Sequence, residues 1–358
     1  MLEPNSSSVD RALDAIRAGQ LLAIPTETVY GLGADASNRD AIQKIYQLKG
    51  RPTDHPLIIH VQAPPTGSKN LEKEWLAILS PWTRHIPESA IILIKYFWPG
   101  PLTLVFEKSK LVLDCVTGGQ ATVAIRSPAH PLTQELLRRF GGGIAAPSAN
   151  RYGRISPTSA LDVEAEFPNN PDLLILDGGS CEHGIESTIL DVSGEGSPKL
   201  LRPGSISPTM IKAGTGIDVV SGLSTVNQPR VSGTHLAHYA PHTPLYLYSE
   251  SGIASQLDPL IHELPKAKFA VLVWEHEHLH HRTELKAYLS NLTLIAITME
   301  PALLAKQLYR LLRDLDQGQY QGIFIPSPPK TEAWDAVRDR LQRASFGSGP
   351  SSSNHVSS

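Results

Sequence analysis

Short apolar runs, each closed by glycine, proline or a charged residue, recur along almost the whole 358-residue chain. "LLAIP", "LIIHV", "LTLVFE", "ATVAIR", "GIAAP", "LLILD", "STILDV" and "KLLRP" are too short for buried helices and predict strands. Residues 9–18 place Val9, Ala12, Leu13 and Ile16 at helical spacing ahead of Gly19. Ser37 and Asp40 read as a capping box for a second helix carrying Ala41, Ile42, Ile45 and Tyr46, stopped by Gly50 and Pro52. Strands mixed with a few helices predict an α/β domain over residues 1–215, built on a large mixed, twisted sheet.

The pattern changes further on. Residues 216–243 have weak periodicity and many Ser, Thr, Gly and Pro, the composition of a linker. From 244 to 346 the strands "PLYLYS", "KFAVLVW", "LTLIAIT" and "QGIFIP" alternate with three helical segments and a final helix, "TEAWDAVRDRLQRAS". That alternation predicts a smaller, doubly wound parallel sheet of Rossmann type. The tail 347–358, "GSGPSSSNHVSS", has nothing to bury and is expected to be disordered. A net charge of -3 supplies no overall basic field for nucleic acid, so any anion site must be built locally. Cys115 and Cys181 are the only cysteines, too few for a disulfide framework or a zinc site. With no signal pattern and no apolar run approaching ~20 residues, a cytoplasmic protein without a membrane partner is expected.

Several stretches ask for more than turn chemistry. "GLGADA" (31–36) formally matches a relaxed dinucleotide fingerprint, but the polar "TETVY" separates its glycines from the first strand. In "KGRPTDHPLIIHV" a helix stop accounts for Lys49, Gly50 and Pro52 and leaves Arg51 and His60 over. Ser148 and Asn150 flank Ala149 in a turn, where both side chains can offer donors to phosphate or sugar oxygens. Arg126 and Arg202 each end a strand just before a proline turn. Either alone reads as a solvated surface charge; with Lys49 and Arg51 they form a candidate anion cradle. The histidines 235, 238, 242, 276, 278, 280 and 281 invite a metal reading, but no carboxylate or cysteine is read at supporting spacing, so no metal site is assigned.

Taken in order, "PTETVYGLG", "KGRP", "PGPLTLVF", "TVAIRSP", "APSAN", "ESTILD" and "LLRPG" closely resemble the YrdC-like family of threonylcarbamoyl-AMP synthases over roughly residues 9–210. "HYAP" (238–241) and "RDRLQRAS" resemble its long form, which carries an additional C-terminal Rossmann-like domain. The hydrogenase-maturation carbamoyltransferase relatives fit less well, because no acylphosphatase or zinc-finger segment precedes the core. The resemblance implies condensation of L-threonine, bicarbonate or CO2, and ATP, with Mg2+, to threonylcarbamoyl-AMP and pyrophosphate. A partner tRNA threonylcarbamoyltransferase complex then uses the product, and direct contact with tRNA is left open. It further implies that Thr28, His60, Arg126, Ala146, Ser187 and Thr188 hold threonine, with Arg126 on its carboxylate. Lys49, Arg51, His55, Thr122, Ser148, Asn150, Ser156 and Arg202 would hold ATP, with Lys49 and Arg51 stabilising the reacting phosphates. His55 stands where relatives often have Asn. The linker would fold across the active-site mouth as a lid, bringing Tyr239 to the nucleotide.

These residue types suit the chemistry. A carbamate oxygen attacking the α-phosphorus needs positioning and cationic charge more than a covalent nucleophile. An RNA-binding module using the same arginines is the alternative from another class, weakened by the net charge and the lack of aromatic-rich single-strand motifs. A nicotinamide oxidoreductase is weaker still.

Overall fold

The computed structural model describes residues 1–3, 6–221, 228–233, 235–249 and 253–349. Most of the polar tail, from residue 350, and linker residues 222–227 and 234 lie outside the described residues. The chain divides into two compact units, Met1–Tyr152 with Ser156–Thr234, and Gly153–Ile155 with the chain from His235 onward.

The first unit carries β1 (Leu21–Ile24), β2 (Gly31–Asp35), β3 (Ile58–His60), β4 (Leu102–Glu107), β5 (Thr122–Arg126), β6 (Ile144–Ala145), β7 (Leu173–Ile175), β8 (Thr188–Asp191), β9 (Lys199–Arg202) and β10 (Val220–Ser221). They form one ten-stranded mixed sheet in the order β10-β9-β8-β4-β5-β3-β6-β2-β1-β7. β10 pairs parallel to β9, so the stretch read as linker begins as a sheet edge. Alternation explains why β1 is apolar throughout: Leu21 and Ala23 enter one buried cluster, Leu22 and Ile24 another. The helix Ser6–Arg17 covers the second cluster with Val9, Leu13 and Ile16, beside Leu136 and Leu137 of the helix Pro131–Phe140.

One local expectation is corrected, and a weak motif match is removed. "GLGAD" is strand β2, not a turn opening a helix, which removes the dinucleotide fingerprint. Gly33 is required by close approach: a Cβ there would lie 2.9 Å from Ile144 Cγ2 and 3.1 Å from the Leu22 carbonyl. The helix Arg39–Lys49 is capped by Asn38, whose Oδ1 accepts from Ala41 N. Ser37 instead donates its hydroxyl to Asp35, because the chain is still turning out of β2 at that point.

In the second unit β11 (Leu245–Tyr248), β12 (Phe269–Trp274), β13 (Leu292–Ile297) and β14 (Gly322–Pro326) form a wholly parallel sheet, ordered β11-β14-β12-β13. Its core gathers Tyr248, Ile253, Leu257, Phe269, Val271, Val273 and Phe324. The helices Pro301–Asp316 and Asp335–Gly347 pack against each other.

Candidate active site

The period of two along a strand places Thr122, Ala124 and Arg126 on one face of β5, and Ile58 with His60 on one face of β3. On that face Ile58, Val105, Ala124, Ile189 and Leu201 form a small apolar cluster, and Val231 packs into it. Polar and cationic side chains surround this floor.

Arg126 ends β5 beside His60 in register. Its Nε donates to Gly100 O (3.2 Å), Nη1 to Thr28 Oγ1 (2.8 Å) and Nη2 to Glu27 Oε1 (2.6 Å). Glu27 Oε2 accepts from Ala129 N at 2.9 Å. Burial by itself would push the Glu27 carboxyl up, yet the Arg126 guanidinium and these hydrogen bonds hold it below its ordinary value. Burial and then Arg126 push the His60 imidazole down to about 3, so it is neutral at physiological pH. The turn that presents Thr28 is closed by Thr26, whose Oγ1 donates to Val29 O and accepts from Val29 N.

At the start of β8, Thr188 Oγ1 donates to Ile206 O (2.7 Å), and Ser187 Oγ shares a 2.7 Å hydrogen bond with Thr103 Oγ1. Arg202, ending β9, donates from Nε and Nη2 to Ser187 O and from Nη1 to Ser232 O (2.7 Å). The helix Arg39–Lys49 stops at Gly50, which adopts φ 63°. Lys49 Nζ donates to the carbonyls of Ser148 (2.7 Å) and Asn150. Burial, reinforced by Arg51, lowers its pKa well below the ordinary lysine value. Arg51 donates from Nη2 to Pro56 O (2.9 Å) and to Ser232 Oγ (3.5 Å). His55 is buried with its ring 5.4 Å from that of Tyr152, and Ser156 Oγ donates to Glu186 Oε1 at 2.6 Å. Ala146, following β6, is buried and donates its N–H to Ile58 O; Thr122 is half-buried at the start of β5.

The candidate residues other than Tyr239 therefore all fall in the first unit. Lys49, Arg51, Arg126 and Arg202 are only 3%, 6%, 4% and 2% exposed. The reading of a strand-end arginine as a solvated charge fails for both Arg126 and Arg202, because neighbouring carbonyls, and for Arg126 a carboxylate, replace water. Tyr239 belongs to the second unit and is fully buried there. It stacks on Tyr309 with ring centroids 5.6 Å apart and lies under the Arg340 guanidinium at 5.2 Å. Carboxylates do stand near the histidines at helical spacing, contrary to the sequence reading: His281 is buried between Glu277 and Glu284, at 3.4 and 3.0 Å. Among the described residues no group of His, Cys, Asp or Glu could hold a metal ion.

Sequence reasoning missed Glu27, Glu186, Val231 and Ser232. Glu27 lay inside a motif already singled out, and a carboxylate between two threonines next to a buried strand was its available signal. Ser232 carried none, since its contacts with Arg51 and Arg202 span 181 and 30 residues of chain.

Comparison with known proteins adds independent findings. Residues 14–204 match the family model described as Telomere recombination, and residues 206–345 the model described as Threonylcarbamoyl-AMP synthase, C-terminal domain. The threonylcarbamoyl-AMP synthase of Bacillus subtilis is 38% identical over 352 residues, covering 97% of this chain and 95% of its own. That of Schizosaccharomyces pombe is 32% identical, covering 94% and 88%. The crystal structure of P. abyssi Sua5 complexed with L-threonine superposes with a TM-score of 0.79 at 32% identity, over 97% of this chain and 98% of that one.

Proposed function

The chain belongs to the YrdC-like threonylcarbamoyl-AMP synthase family, in its long form, and we propose here how its own residues carry that reaction. It is an enzyme that condenses L-threonine, bicarbonate or CO2, and ATP to threonylcarbamoyl-AMP and pyrophosphate. The observation that supports the assignment of roles is the buried network of Arg126 with Thr28 and Glu27, beside a neutral His60.

Threonine enters this pocket with its carboxylate on Arg126 and the Thr28 hydroxyl close by; His60, Ala146, Ser187 and Thr188 complete the walls. A neutral His60 suits this role, because it adds no second cation and offers both a donor and an acceptor nitrogen. The amine and bicarbonate give a carbamate and water. A carbamate oxygen then bonds to the α-phosphorus as the bond to the β-phosphate oxygen breaks, and pyrophosphate leaves. Lys49, Arg51 and Arg202 lower the energy of charge building on the transferring and leaving phosphates, and their burial strengthens that effect. Ser148, Asn150, Thr122, Ser156 and His55 fix the nucleotide. Glu27 is engaged by Arg126 and Glu186 accepts from Ser156, and among the described residues no group of three or more His, Cys, Asp or Glu is placed to hold a metal ion. A magnesium ion would be carried chiefly by the ATP phosphates and would supply further positive charge against them.

Burial also disfavours the RNA-binding alternative, since a nucleic-acid backbone needs cations on an accessible surface. The product is an activated acyl donor, consumed by a transferase that modifies tRNA. A requirement for ATP and two unpaired cysteines support a cytoplasmic location, and no described helix is long and apolar enough to cross a membrane. Arg126→Ala tests the assignment: threonine affinity should fall far more than ATP affinity in calorimetric titrations. Equal losses for the two ligands would refute it.

A further inference from the structure

We propose that Glu27 is a positioning residue for threonine: its carboxylate fixes the plane of the Arg126 guanidinium, so that the remaining N–H groups are held ready for the substrate carboxylate. The inference rests on the reading above that Arg126 takes that carboxylate.

A guanidinium has five N–H donors in a fixed plane. Arg126 commits three of them, one each to Gly100 O, Thr28 Oγ1 and Glu27 Oε1. Among the described residues one N–H on each terminal nitrogen is left over, the number a bidentate carboxylate needs. Each of the three partners is itself restrained. Gly100 donates its N–H to Ser127 O, and Thr28 is tied to Thr26 through both its N–H and its hydroxyl. Glu27 is held at both ends: its backbone carbonyl accepts from His183 N, and its second carboxylate oxygen accepts from Ala129 N. An arginine side chain otherwise has many rotamers to lose on binding substrate, so holding it beforehand removes that cost. Among the described residues Glu27 is the carboxylate that ion-pairs with Arg126, at 2.6 Å, and it sits next in sequence to Thr28, a member of the same pocket. The ordered carboxylate of Glu27 therefore does for Arg126 what an outer-shell partner does for a metal ligand.

The test is Glu27→Gln, with Glu27→Asp and Arg126→Ala alongside. An amide can satisfy Arg126 through its oxygen only by turning its NH2 towards the Ala129 N–H, donor against donor, so one anchor is lost. In E27Q the KM for threonine should rise about tenfold or more, with the ATP KM within about twofold and kcat within about threefold. E27D keeps the charge on a side chain one methylene shorter, and its threonine KM should fall between wild type and E27Q. A general structural defect would raise both KM values together, which overturns the proposal. So would an unchanged or lowered threonine KM in folded E27Q, the result expected if Glu27 merely competes with substrate for Arg126. If E27Q does not fold, E27D decides by the same split: a selective rise in threonine KM supports the proposal, and no rise overturns it. Arg126→Ala separates the two layers. If it spares threonine, the carboxylate assignment itself fails; if it is selective while E27Q is silent, only the role of Glu27 fails.

Discussion

His60 and Arg126 lie side by side across β3 and β5, both buried, with Glu27 as the third charge-bearing group around them. This has a measurable consequence for stability. The folded-state pKa of His60 is lowered to about 3 from an ordinary 6.5, so between those values the unfolded chain binds the extra proton. The contribution is complete above about pH 6.5 and is lost as the pH falls towards 3. Thermal midpoints should therefore decline over that window, and His60→Gln should flatten the decline; a parallel curve in the variant would exclude His60 as its source. The cation pair gives a second expectation. Arg51→Ala and Lys49→Ala should each lower pyrophosphate release by roughly a hundredfold. Lys49→Ala should also cost about 1–3 kcal/mol of stability, because the buried carbonyls of Ser148 and Asn150 lose the N–H donors of its amino group. Near-normal turnover in a folded double variant would refute the role of the pair.

The motifs become legible once their elements are in place. "LLRPG" ends β9 with Arg202 turned onto Ser187 O, and its glycine lets that strand end pass the start of β8. A Cβ on Gly204 would lie 2.3 Å from Thr188 N, against backbone that cannot swing away. Gly204→Ala should therefore destabilise the protein by about 2 kcal/mol and raise the threonine KM, by moving Thr188 and Ser187. An unchanged KM at the altered midpoint would separate the two effects. "HYAP" carries a buried aromatic at its centre. Tyr239 adopts φ 62°, in the left-handed region uncommon for non-glycine residues, and is packed by Tyr309 and Arg340. Tyr239→Ala should cost about 3 kcal/mol or more in thermal or chemical denaturation, as for a buried aromatic. An exposed lid tyrosine would cost little.

At the scale of the molecule, a segment far along the chain bears on the cations proposed for the phosphates. Val231 joins the apolar floor while Ser232 engages Arg51 and Arg202, and Arg230 pins the segment through Asp54 (3.3 Å), Gly118 O (3.2 Å) and Gln120. If ATP phosphates use the same N–H groups of those arginines, they compete with Ser232. Removing the exposed Arg230 anchor should ease displacement, and Arg230→Ala should lower the ATP KM by up to about fivefold, the reach of an exposed ion pair. An unchanged or higher KM would show that the segment does not compete.

The division between sequence and structure follows the range of the interactions. Strand runs such as "LTLVFE" and "KFAVLVW" were readable because alternation, length and flanking turns are local properties; β4 has the same residues, and β12 all but Lys268. The class of both units and the family were readable too, since each is written in short contiguous motifs. What the sequence left undecided depends on pairs far apart in the chain. The order of ten strands brings Arg126 to His60 and Thr188 to Pro101, and only that order buries the arginines that looked solvated. The loop-facing role of Lys49, the glutamate behind Arg126 and the serine across Arg51 and Arg202 share the same cause: separations of 99, 99, 181 and 30 residues leave no periodic trace, and only chain packing brings the partners within hydrogen-bond distance.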